Sequence, residues 1–150
     1  MTQRLLALGT LMAIATIGAH AQKTYTSASD FLADAKLSYS DDFTSVADGA
    51  FAGTYTAAGG SGLGFSVAAT DGLWSVGGGN ISTSTAGNSM TVNFTGGVNM
   101  VGGSFWAADM DGVATPGTVT LTFSDGGSYT SASSDFFGYS NANAWLTSMT

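Results

Sequence analysis

Alternation with a period of two is the feature that most narrows what this chain can become. Between Ser89 and Thr95, Met90, Val92 and Phe94 fall on one side, and Thr91, Asn93 and Thr95 on the other. Successive Cβ atoms leave a strand on opposite faces, so this is the pattern of a half-buried β-strand. Thr118 to Phe123 repeats it, with Val119, Leu121 and Phe123 inward. Asp125, Gly126 and Gly127 follow, residue types that tolerate positive φ, and Ser128 to Ser131 can return as the second strand of a hairpin.

Further short strands are expected at Leu37 to Phe43, Leu63 to Ala68, Leu73 to Val76, Ile81 to Ser84, Val98 to Ala107, Phe136 to Ser140 and Trp145 to Thr150. Turn signals separate them at the roughly 8 to 12 residue spacing of sandwiches and barrels. Gly102 and Gly103, inside an apolar run, suggest a bulge that re-aims Phe105 and Trp106. One short helix is expected near the start of the domain, capped at Ser27 or a neighbour, with Asp30 three residues on and Phe31 and Leu32 as its apolar residues. The composition is rich in Gly, but aromatic and β-branched residues are too plentiful for a disordered linker. The expected fold class is therefore all-β, a sandwich of short antiparallel strands preceded by one short helix.

The first residues read as an export signal. Arg4 precedes an apolar run from Leu5 to Ile17, and Ala19 and Ala21 are the small residues of a cleavage site before Gln22. Gly9, Thr10 and Thr16 interrupt that run, which is shorter than the roughly 18 apolar residues of a membrane span. Residues 1–21 are thus expected to be a signal peptide and residues 22–150 a single, secreted or cell-surface domain with no membrane span. Cleavage at Gln22 removes His20 and Arg4, the only His and Arg, and the chain has no Cys or Glu. What remains is Lys23, Lys36 and ten Asp. An acidic surface without clustered Lys or Arg repels phosphate backbones and anionic lipid, which argues against nucleic acid as a partner.

The same inventory argues against catalysis. A Ser-His-Asp or Cys-His arrangement cannot be built from residues 22–150, nor can a zinc site of His or Cys. Paired Asp residues could serve as acid and base, but Asp71-Gly72 and Asp125-Gly126 sit where turns are needed. Calcium is the one metal candidate, because hard cations take oxygen ligands; Asp109 with Asp111, and Asp41 with Asp42, are the pairs that could contribute. No other cofactor is expected. For ligand binding the candidates are Trp74, Trp106, Trp145 and Tyr139, with Tyr55 and Tyr129 as further aromatics. Such side chains offer a flat apolar body to a sugar ring, and core packing is the competing role for each.

Phe31-Leu32, then Tyr39 to Phe43 with Asp41 and Asp42, Gly49, and Ile81 to Ser84 resemble the exported bacterial proteins grouped by the PEP-CTERM sorting signal. Met90 to Phe94, Val101 to Phe105, Pro116 to Gly126 and Phe136 to Tyr139 extend the resemblance over about residues 28–150. It implies a jelly-roll-like exported domain, and its motifs are strand and turn patterns rather than catalytic signatures. The sequence departs from the family in having no Pro-Glu-Pro, following apolar helix or terminal Arg cluster. Since strand-like residues run to Thr150 with no cap after them, the chain is expected to be truncated before a further strand and an anchor. Two functions follow as expectations: a non-catalytic surface or extracellular-matrix protein whose partners are other surface proteins, and a carbohydrate-binding module for extracellular polysaccharide, with or without a structural calcium ion. An exposed coplanar pair of aromatics would favour the second, and fully buried Trp side chains the first.

Overall fold

The computed structural model describes residues 22–36, 38–51, 53–59, 62–75, 79–85, 87–109, 113–131 and 136–150. The expected signal peptide and Asp111 lie outside them. One helix, α1 (Ala28–Asp34), follows the first strand, β1 (Gln22–Tyr25). The remaining strands are β2 (Gly49–Phe51), β3 (Tyr55–Ala58), β4 (Gly64–Ala69), β5 (Leu73–Ser75), β6 (Ile81–Thr83), β7 (Met90–Val98), β8 (Met100–Ser104), β9 (Val119–Thr122), β10 (Ser128–Ser131), β11 (Phe136–Asn141) and β12 (Leu146–Met149). The described residues form an all-β sandwich with one short helix.

Its larger layer is built from two ladders. One runs β12-β7-β4-β3 and the other is the hairpin β10-β9, all antiparallel. Thr122 and Thr150 exchange both backbone hydrogen bonds, at 2.7 and 2.9 Å, and the amide of Ser124 donates to the carbonyl of Ser148. These bonds join β9 to β12, so the strands form one continuous surface in the order β10-β9-β12-β7-β4-β3. The last strand is therefore flanked on both sides, by β7 and β9. A second sheet, β1-β11-β8, packs over part of this layer, and a third, β2-β5-β6, completes the set.

The core lies between the first two sheets. Leu121 and Phe123 from the β9 segment, Leu146 and Met149 from β12, and Phe137 and Tyr139 from β11 are all buried, with Val92 and Phe94 packed against them. Of these, Leu121, Phe123, Val92 and Phe94 are the residues that the alternation places inward. Phe123 stacks on Tyr139 with ring centroids 4.2 Å apart, and Tyr129 on Phe137 at 3.7 Å. The other face of β11 is covered by α1. Phe31 meets Tyr25 and Phe136 edge-on, and its ring lies so close to Gly138 that a Cβ there would come within 2.6 Å. Ser27 caps the helix as expected, its hydroxyl accepting from the amide of Asp30.

Two local expectations are corrected. No strand forms over 38–43. There Asp41 Oδ1 accepts from the amide of Phe43 at 2.7 Å, and Asp42 Oδ1 accepts from the amide and hydroxyl of Thr44. Side-chain acceptors that bond the backbone two residues on favour a turn over a ladder. Phe43 takes a positive φ of 56° at this point, and its ring joins Tyr55 and Phe65. Gly102 and Gly103 are not a bulge either. They pair in regular register with Gly138 and Phe137, and at Gly102 the missing side chain leaves room for the ring of Phe136. The register shift lies elsewhere, between β7 and β12, where Leu146 pairs with Val98 but Ser148 with Asn93.

Candidate functional site

Trp145 immediately precedes that shift. Leu146 is 1% exposed and belongs to the core, so its chain neighbour Trp145 points to the opposite, outward side of the sheet. There its ring lies against Gly97 of β7: a Cβ at Gly97 would stand 3.2 Å from the ring. The glycine gives the indole a flat backbone seat while the residue as a whole remains 66% exposed. An indole held this way keeps its shape without being covered, and ligand stacking asks for that combination.

The surface next to Trp145 is the outward face of the large layer. Along β7 the outward residues are Thr95, Asn93 and Thr91, alternating with the inward Phe94 and Val92. Asn93 stands opposite Ser148 of β12 and Ser66 of β4, and Ser66 opposite Thr56 of β3. One step further, Thr91 Oγ1 and Thr150 Oγ1 lie 3.2 Å apart, and Thr150 faces Thr122, itself opposite Ser128. On the hairpin, Thr120 and Thr130 share a hydroxyl hydrogen bond at 3.1 Å. Every one of these outward positions is uncharged, in a domain whose residues 22–150 carry ten Asp and two Lys. Hydroxyls and one carboxamide therefore stand in cross-strand rows, with Trp145 at one end.

The remaining candidates are scattered. Trp74, on β5 between Ala50 and Ser82, is 38% exposed on a different sheet, and Trp106, after β8, is half-buried. Tyr139 is only 4% exposed, so it cannot serve the ligand platform expected of it. Its hydroxyl instead donates to Asp125 Oδ2 at 2.7 Å, which also accepts from Asn141 Nδ2 at 2.7 Å. Burial and the facing carboxylate both push the Tyr139 phenol far up from its ordinary value. For Asp125, burial opposes ionisation, but the donors Asn141, Tyr139 and the Gly127 amide outweigh it and hold the carboxyl below its ordinary value. This cluster ties the β9–β10 turn to β11.

Of the acidic pairs, Asp41, Asp42 and Asp109 are engaged with protein donors, and Asp111 lies outside the described residues. Asp41 Oδ2 accepts from Tyr55 at 2.9 Å, in addition to the Phe43 bond on Oδ1, and Thr44 holds the carboxyl of Asp42 below its ordinary value. Asp109 Oδ1 accepts from the amide of Val113. Among the described residues no three acidic groups come together as a metal would require. A cleft of about 360 Å³ opens between the β9–β10 hairpin and β11, walled mainly by Phe105, Val119, Leu121, Tyr129 and Phe137. Thr26, Ser131 and Phe136 complete its lining.

No family model, curated protein or solved structure matches this chain. The site is therefore read from its own geometry. Sequence alternation placed Thr91, Asn93 and Thr95 on a polar face, and the aromatic inventory offered Trp145 as one candidate among Trp74, Trp106, Trp145 and Tyr139. It missed Gly97 as the seat of the ring and the alignment of Ser66, Ser148 and Thr150 with β7, because both depend on which strands become neighbours. Among the described residues no helix is long and apolar enough to cross a membrane.

Proposed function

We propose that this chain is an exported, non-catalytic surface protein that holds carbohydrate on Trp145. The observation that carries the reading is Trp145, its ring backed by Gly97 and the residue 66% exposed beside a charge-free polar face. An exposed indole contributes most to a partner that can stack flat on it and still hydrogen-bond at its edges, as a pyranose does. The non-catalytic part of the reading is supported by the side-chain inventory: residues 22–150 offer no His, Cys, Arg or Glu. Export is supported by the leader pattern of residues 1–21. Calcium forms no part of this reading, because the carboxyls of Asp41, Asp42 and Asp109 are bonded to protein donors.

The test is a glycan-binding screen on residues 22–150, with calcium and with EDTA, repeated on Trp145→Ala. Binding that disappears in Trp145→Ala, with an unchanged thermal transition, is the expected result. A glycan bound equally well by Trp145→Ala removes this site from consideration. Binding lost in EDTA would return the function to the acidic loops.

A further inference from the structure

Building on the proposed carbohydrate site, we infer that its ligand is an uncharged polysaccharide bound as an extended chain, running from Trp145 along β7 over Thr95, Asn93 and Thr91. Trp145 lies on Gly97, and the next outward residues of that strand are these three in order. Thr150, which meets Thr91, is five residues from Trp145, and at about 3.3 Å per residue the track spans at most roughly 17 Å. That is room for several sugar rings, whereas Trp145 alone accommodates one. Polar groups flank the track on both sides, Ser66 on β4 and Ser148 and Thr150 next to β12.

Charge selects the polymer. None of the residues named on or beside the track is ionisable, and no Lys or Arg is among them to bind a carboxylate or sulfate. The domain as a whole carries ten Asp against two Lys. An anionic polymer would meet repulsion without any compensating contact, whereas a neutral one meets hydroxyls and amides that donate and accept as its own hydroxyls do. The face is also partly ordered beforehand. Thr91 and Thr150 hold one another at 3.2 Å, and β-branched side chains have few χ1 rotamers to lose. A ligand that binds pre-ordered groups loses less side-chain entropy on association.

The experiment uses residues 22–150, with affinity electrophoresis and calorimetry against two sets of probes. The neutral set is hydroxyethylcellulose, arabinoxylan, galactomannan and pullulan, each with its oligomers of two to six units; the anionic set is alginate and polygalacturonate. The variants are Trp145→Ala, Asn93→Ala and Thr91→Val, all at outward positions, with thermal unfolding as the control for folding. At least one neutral polymer is expected to bind, with affinity rising from dimer to hexamer. Asn93→Ala and Thr91→Val should each weaken hexamer binding roughly fivefold, the worth of one hydrogen bond, and leave dimer binding unchanged. Binding that depends on Trp145 but shows no gain with length and no response at Asn93 and Thr91 would overturn the track while leaving the Trp145 site standing. Tighter binding of alginate or polygalacturonate than of every neutral polymer would overturn the charge argument. Loss of all glycan binding would overturn both readings.

Discussion

Replacing Asp125 with Ala removes in one step the acceptor shared by Tyr139, Asn141 and the Gly127 amide, at 2.7, 2.7 and 3.0 Å. Tyr139 and Asn141 are 4% and 7% exposed, so their donors have little access to replacement water. A buried donor left without a partner costs about 1 to 3 kcal/mol. Asp125 itself is partly exposed, which lets water reach part of the gap and favours the lower half of that range for each donor. The expected loss is then about 3 kcal/mol, or a fall in Tm of roughly 10 °C for a domain of this size. Tyr139→Phe keeps the stack on Phe123 and should cost only about 1 kcal/mol. In a double-mutant cycle the two changes should couple by about 1 to 2 kcal/mol, because the second finds its partner already gone. Acid dependence follows from the same contacts. The folded protein holds the Asp125 carboxyl below its ordinary value, so its stabilisation is complete above the ordinary carboxylate range near pH 4 and fades as pH falls through the lowered value. The acid limb of the stability curve should accordingly be flatter in Asp125→Ala. Urea unfolding followed by near-UV circular dichroism, between pH 2 and 7, measures all of this. A loss below about 0.5 kcal/mol, or no coupling to Tyr139→Phe, would refute the assignment of this cluster as the tie between the β9–β10 turn and β11.

Gly138→Ala should cost about 1 to 3 kcal/mol, because the new methyl would meet the Phe31 ring within 2.6 Å, and Phe31→Ala in the same chain should recover part of that loss. If Phe31→Ala only adds to the damage, α1 is not what closes over Gly138. Ser27→Ala removes the cap of α1 and should cost about 1 kcal/mol, with faster hydrogen exchange at the Asp30 amide as its local signature; unaltered exchange there would show that the cap contributes nothing. Trp145→Ala should abolish glycan binding while leaving Tm almost unchanged, because the residue is already 66% exposed. A large drop in Tm would make Trp145 a packing residue instead.

Local chemistry made much of this protein legible in advance. Alternation through Met90 to Thr95 and Thr118 to Phe123 assigned inward and outward faces, since a strand's side-chain period is two whatever the strand pairs with. Asp125 to Gly127 specified a hairpin, and Gly126 takes the required positive φ of 88°. Ser27 specified a helix start. Elsewhere the same kind of local evidence misled. Leu37 to Phe43 has strand-like residues, yet Asp41 and Asp42 turn back onto their own backbone, and Phe43 packs against Tyr55 of β3 and Phe65 of β4. Strands β1, β2 and β3 are too short to show a period, and they exist because β11, β5 and β4 offer them partners. Tertiary structure alone decided that β12 enters between β7 and β9, which lines up Thr122, Thr150 and Thr91 across three strands distant in sequence. It alone set Trp145 on Gly97 and turned Tyr139 into the core. Side-chain direction along a strand is a local property of the chain. Which strands become neighbours depends on contacts between distant segments, and no short stretch of sequence encodes those.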